Sequence, residues 1–470
     1  MWPPRASRIA ALLSLGFALL GCPPTCRSEW LYFADGGQFQ APIRRSDGRV
    51  WVHTPAGRYS FADRDFRAIV PGGCPDRDWP SRREAAGSSA DRQFAAAWWA
   101  LENGLIPECV SMLRSAHAAH PAHQPTARLV KTLDRLERPR PDPDVDPLCR
   151  ALVVSCEVER GPQIYLIHQH EPDDARARVE LLERVTTAYY LVLAAHGLDL
   201  AVPSRRLVSV YLRDRHDYLA FLESQNANAF RKTLGYYHPI FRATITYDPR
   251  PVGPRKTPGD GPSSELRQSS SPVAKSEIVP PAGAERRRLL ADLETAALSD
   301  GTAAHELVHL LVSESGLASD PGVFPLWLHE GFASQFEVVR GGRWAGVGRV
   351  HDLRLPDYRA ATPPALLETM IRDTGFGHGY RRDLYANCWA LVYFLGKTRP
   401  REFSAFLDLL RSPARGSDGD EAARFDSTFR SAFGNDLGPL ETEWHAFMSN
   451  LLTPLEEHDP AGLAVARRVR

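Results

Sequence analysis

Two stretches decide the reading: His305-Glu306-Leu307-Val308-His309-Leu310-Leu311-Val312, and downstream Phe324-Pro325-Leu326-Trp327-Leu328-His329-Glu330-Gly331-Phe332-Ala333. Residues four apart on a helix lie one turn above each other on the same face. His305 and His309 so placed aim two imidazoles at one ion, with Glu306 beside the water on that ion. Ser299 or Asp300 is positioned to cap the start of this helix, and the apolar run from Leu307 to Val312 supplies its packing. A catalytic zinc takes three protein ligands and keeps one position for water. Glu330 is the third candidate. Twenty residues separate it from His309, enough for the helix to stop near Gly316 and for a second helix, opened by Pro325, to present a carboxylate.

The pair Trp-Leu-x-Glu-Gly-x-Ala after His-Glu-x-x-His resembles the gluzincin peptidases, the aminopeptidase N family among them. It is closer still to the peptidase MA-like group of exported bacterial proteins. The resemblance spans about residues 149–452. It implies an α+β, zincin-like catalytic domain in which a small sheet precedes a mostly helical half. It also implies Zn2+ on His305, His309 and Glu330, with Glu306 as the base. Such hydrolases stabilise their oxyanion from a later helix. Tyr385, in Leu384-Tyr385-Ala386-Asn387-Cys388-Trp389, resembles that element, with His378 and Tyr380 as rivals. Trp389, Val392, Tyr393 and Leu395 read as core.

The chain also departs from the better-known gluzincins. No Gly-x-Met-Glu-Asn segment precedes the zinc helix, and Gly235-Tyr236-Tyr237 stands in that region. The acids that hold a free amino terminus therefore lack a counterpart; the two tyrosines read as anchors before substrate contacts. Ser334 occupies the position four after Glu330, where an acid often orients a zinc histidine.

Upstream, residues 163–168, 207–212 and 243–247 read as strands, and 174–196 and 216–226 as helices, the first closed by Gly197. The strand 243–247 is expected to edge the cleft and pair with an extended peptide. Residues 249–284 form an insertion rich in Pro, Ser and Gly, too poor in large apolar groups to fold alone. After about 285 the chain reads as helices to 452, and 453–470 form a polar tail. Between residues 23 and 78, apolar–polar alternation broken by Ser46-Asp47-Gly48 and Pro55-Ala56-Gly57 indicates a small antiparallel β unit. Residues 79–138 turn helical, with Phe94, Trp98 and Leu101 on one stripe and Met112, Leu113 and Ala116 on another. Pro107 opens a helix there and Pro121 ends one. Residues 139–148, with three prolines in five positions, read as a linker.

The first 22 residues stand apart. Arg5 and Arg8 precede an apolar run to Leu20, and Leu19-Leu20-Gly21-Cys22 resembles a bacterial lipoprotein signal. That reading places a lipid on Cys22 and the mature protein at the cell envelope, attached to a membrane by the lipid. Cys26, Cys74, Cys109, Cys149, Cys156 and Cys388 remain. In an oxidising compartment Cys26 with Cys74, or Cys149 with Cys156, would close loops, and buried free thiols are the alternative. With 57 basic and 57 acidic side chains the formal charge is zero, which offers no phosphate-tracking surface and argues against nucleic acid.

Two further histidine groups are weighed down by what they lack. His117, His120 and His123 have no carboxylate, and their helix is interrupted by Pro121; His168 and His170 have no third ligand. The sequence thus favours zinc-dependent hydrolysis of a peptide or protein. A noncatalytic envelope lipoprotein with a structural or vestigial zinc site competes with it, as does hydrolysis of a nonpeptide amide.

Overall fold

A computed structural model describes residues 27–34, 38–54, 57–73, 75–152, 154–250, 282–318, 324–361, 364–373, 382–411 and 421–458. The signal segment with Cys22, the cysteines Cys26 and Cys74, most of the insertion, and His378 and Tyr380 lie outside them. The architecture is mixed α+β, with small sheets and a helical C-terminal half.

The β unit is a five-stranded antiparallel sheet of β1 (Arg27–Phe33), β2 (Gln38–Ser46), β3 (Arg49–Thr54), β4 (Gly57–Ala62) and β5 (Phe66–Pro71). Its order is β4-β3-β2-β1-β5. Asp47 and Gly48 both take positive φ, 54° and 69°, which matches the right-handed twist of the β2–β3 hairpin. Alternate residues Leu31, Phe33, Ile43, Val50, Val52 and Phe61 build one apolar face.

Five helices follow: α1 (Pro75–Ala86), α2 (Ala90–Glu102), α3 (Ile106–Ala119), α4 (Gln124–Leu136) and the short α5 (Asp146–Ala151). Between α4 and α5 the Pro-rich stretch is tied down. The buried Arg140 guanidinium donates to the carbonyls of Pro203, Leu136, Arg138 and Arg135. Gly104, at φ +72°, and Gly346, at φ +97°, let the α2–α3 turn meet a later loop backbone to backbone. A Cβ on Gly346 would stand 2.3 Å from the Glu102 oxygen. One apolar core accordingly runs from Trp79 through these helices into the C-terminal half.

The second sheet contains β6 (Glu157–Arg160), β7 (Ile164–His168), β8 (Leu207–Leu212), β9 (Gly235–His238) and β10 (Ala243–Tyr247), in the order β6-β7-β8-β10-β9. The central strands β7, β8 and β10 are parallel and the outer two antiparallel. Parallel neighbours need long crossovers. The first is α6 (Pro172–Ala195); α7 (Arg215–Ser224) lies on the second. One face packs with Tyr218 and Phe221 of α7, and the other joins the main core through Ile164, Leu166 and Tyr211. Strand 243–247 forms as expected, but it is paired on both sides. The edge beside the helix of the two histidines is β9, so the expectation that 243–247 edges the cleft is corrected.

That helix, α8 (Ala282–Glu314), is 33 residues long. It begins inside the range assigned to the insertion, because Leu289, Leu290 and Leu293 pack on the apolar face of the first sheet. Ser60 N–H donates to Glu285, 3.1 Å away, and the Tyr59 hydroxyl bonds Asp292. Ser299 and Asp300 consequently sit inside the helix and cap nothing; both engage Arg178 of α6. Gly316, at φ +70°, lies just past the helix end, as expected.

The rest is mainly helical: α9 (Leu326–Ala333), α10 (Arg354–Ala360), α11 (Leu367–Ile371), α12 (Arg382–Thr398), α13 (Pro400–Arg411), α14 (Glu421–Phe433), α15 (Gly438–Asn450) and α16 (Pro454–His458). A two-stranded hairpin, β11 (Val339–Arg340) with β12 (Arg343–Trp344), interrupts it. The first residues of the expected tail are docked. Thr453 and Glu456 cap each other around the start of α16, and Glu456 pairs with Arg359. Among the described residues no helix is long and apolar enough to cross a membrane.

Candidate metal centre

Residues 303–312 of α8 are buried throughout, with Leu307, Val308, Leu310 and Leu311 fully so. His305, Glu306 and His309 share that interior, each less than a tenth exposed. Buried polar groups need partners. Part of theirs comes from α9, where Glu330 faces both histidines. Gly331 lets α9 touch α12 backbone to side, since a Cβ there would stand 2.3 Å from the Cys388 oxygen. Seated so deeply, α9 brings Glu330 to the histidines.

His305 Nε2 lies 2.9 Å from His309 Nε2 and 3.1 Å from Glu330 Oε2, and His309 Nε2 lies 3.7 Å from the same oxygen. Tetrahedral zinc ligands at about 2.0–2.1 Å stand roughly 3.3 Å from one another. The three separations bracket that value. Among the described residues these are the only three His, Cys, Asp or Glu side chains grouped to hold an ion. With protein groups alone, burial opposes charging His305, yet Glu337 and Glu330 hold it well above its ordinary value. Burial drives Glu306 up despite the two imidazoles. Glu330 is held well below the usual carboxylate range, because His309 and His305 outweigh the effect of burial.

Tyr385, on α12, is half-buried. Burial raises its phenol, with Glu330 and Glu306 adding to the effect, so it stays a protonated donor. The Arg354 guanidinium lies 5.3 Å from its ring centre. Trp389, Val392, Tyr393 and Leu395 are core, as expected.

Sequence reasoning missed four residues. Glu337 Oε1 stands 2.5 Å from His305 Nδ1, filling the role for which Ser334 looked too weak; Ser334 instead donates to Glu337 at 3.2 Å. His351 and Arg354 hold the same carboxylate at 2.9 and 3.1 Å. His329, adjacent to Glu330, stacks on His309 with ring centres 4.0 Å apart, and burial holds its imidazole well below the ordinary value. The signal available was Gly301, one turn before His305. A Cβ there would stand 2.7 Å from the Glu337 oxygen, so its absence admits that backbone.

The other candidates resolve as structural. His120 bonds the Ser88 carbonyl, and His123 bonds Thr126 and Asp91. His168 Nδ1 accepts the His170 N–H, and the His170 ring stacks on Tyr211 at 3.8 Å. Tyr236 stacks on Phe230, and Tyr237 donates to Ser313 of α8. Cys109, Cys149, Cys156 and Cys388 are free thiols, so the expected Cys149–Cys156 loop closure is not formed.

Residues 299–414 match the sequence family described as "Protein of unknown function (DUF1570)". The match holds every ligand candidate, Glu306, Glu337, Arg354 and Tyr385, and leaves out both five-stranded sheets. No curated protein matches the chain.

Proposed function

We propose that the chain is a zinc-dependent hydrolase of peptide bonds, of the gluzincin type and closest to the peptidase MA-like group, working at the cell envelope. The observation that carries this is the convergence of His305 Nε2, His309 Nε2 and Glu330 Oε2 around one point, with Glu306 beside them. Two imidazoles and a carboxylate suit zinc, and three ligands leave a position for water. A bound zinc supplies Lewis-acid polarisation of a water and of a scissile carbonyl.

The chain's own residues do the rest. Glu306, its pKa raised by burial, is a base poised to take the proton of the attacking water and pass it to the leaving amine. Tyr385, kept protonated, donates to the oxyanion as the tetrahedral intermediate forms. The edge strand β9 offers unpaired backbone groups alongside α8, and an extended peptide can add there. Export with a lipid on Cys22 follows from the leader and would bring the site to substrates outside the cytoplasm.

The test uses the purified mature protein and its Glu306→Gln variant. Both are expected to bind about one zinc, while only the wild type cleaves a mixed peptide library, with at least a 100-fold loss in the variant. Wild-type protein that binds zinc but cleaves neither peptides nor other amides would leave the noncatalytic reading.

A further inference from the structure

We infer that Glu337 is a positioning residue for both ends of the site, holding the ligand His305 directly and the donor Tyr385 through Arg354. The inference rests on the metal reading and goes beyond it. Glu337 lies seven residues after Glu330, just past α9, and its side chain is 11% exposed. Contacts from four residues fix its two oxygens. Oε1 faces His305 Nδ1 at 2.5 Å, Ser334 Oγ at 3.2 Å and Arg354 Nη2 at 3.1 Å. Oε2 faces His351 Nε2 at 2.9 Å and Arg354 Nη2 at 3.2 Å.

The proton positions follow from the partners. His351 Nδ1 accepts the backbone N–H groups of Leu353 and Arg354, at 3.2 and 3.3 Å. Its proton is therefore on Nε2, donated to Glu337. His305 Nδ1 faces Oε1 at 2.5 Å, so the ring turns its other nitrogen, Nε2, to His309 and Glu330. A carboxylate behind an imidazole raises its basicity as a ligand and locks the ring. Arg354 then extends the same anchor. It opens α10, binds both Glu337 oxygens, and lies over the Tyr385 ring. Zinc ligand and oxyanion donor come from different helices, α8 and α12; this one carboxylate links them.

The experiment measures zinc affinity by chelator competition, unfolding of the metal-free protein, and kcat and KM, on wild type and variants. Glu337→Ala is expected to weaken zinc by about 10–100-fold, and Glu337→Gln, which keeps an acceptor oxygen, to recover part of that loss. Arg354→Met should change zinc affinity less than about threefold. It should lower kcat about tenfold with little change in KM, as expected for a contact made in the transition state. Added to Tyr385→Phe, it should cost nothing further. Wild-type affinity in Glu337→Ala, or effects of Arg354→Met and Tyr385→Phe that multiply, would overturn the inference. An unfolded Glu337→Ala leaves Glu337→Gln to decide. Wild-type protein without zinc affinity sinks the metal reading itself, and that outcome is read before any variant is compared.

Discussion

The two five-stranded sheets meet the same helix and use it differently. The first is wholly antiparallel and touches the opening turns of α8 through Leu289, Leu290 and Leu293. It meets an apolar stripe and a few polar contacts at the rim. The second has a parallel centre, is covered on both faces, and borders the stretch of α8 that carries His305, Glu306 and His309. A half-covered sheet can tolerate a simple amphipathic partner. A buried stretch of helix carries polar groups at a cost unless they find partners, and here His305 faces Glu330 and Glu337 from other elements. The same secondary structure therefore serves as a cover at one end and as a scaffold for chemistry at the other.

The sharpest way to break this contrast is a pair of truncations along the helix. Leu289→Ala and Leu307→Ala each remove a fully buried side chain, and each should cost about 2–5 kcal/mol in unfolding experiments. Leu289→Ala is expected to leave zinc affinity unchanged, whereas Leu307→Ala, within the turn of the ligands, should weaken it. If Leu289→Ala weakens zinc as much, the two ends of the helix are not independent. Smaller in stability is Gly331→Ala. The added methyl meets the Cys388 oxygen, and overpacking of this kind costs about 1–3 kcal/mol. Moving α9 outward shifts Glu330, so zinc affinity should fall as well, while the first sheet keeps its hydrogen-exchange protection.

The smallest effect concerns the far end of α9. Asp373 accepts the N–H groups of Leu326 and Trp327 at 2.7 and 3.1 Å. Burial, against those two bonds, raises its carboxyl from 3.8 to about 6. A raised acid contributes stability that is complete below its ordinary value and lost as pH rises through the folded one. The wild type should therefore lose on the order of 1 kcal/mol relative to Asp373→Asn between about pH 4 and 7. Urea melts of both proteins across that range measure it; parallel curves would show that the carboxyl is not so raised.

Much of the fold was legible because it is local. Strands at Leu207–Leu212 and Ala243–Tyr247, the Asp47-Gly48 turn and the helix stop at Gly316 each carry their signal within a few residues. The short strands β6 and β9 were missed because four residues of mixed polarity have no period to read. The start of α8 was misplaced for a related reason. Its first turns are held by a sheet more than 200 residues earlier in the chain, through pairs such as Ser60 with Glu285.

At the candidate site the same boundary applies. Two imidazoles one turn apart, with a glutamate between them, follow from the pitch of a helix, and so the sequence alone could specify them. The approach of Glu330 was also readable, since its motif and spacing leave room for a return. Which carboxylate stands behind His305, which strand is the sheet edge, and which cation lies over Tyr385 were settled only by tertiary packing. Glu337 reaches its place because Gly301 bears no side chain and because His351 and Arg354 arrive from beyond a hairpin. Those contacts depend on three-dimensional clearance between elements, and no periodicity along the chain encodes clearance.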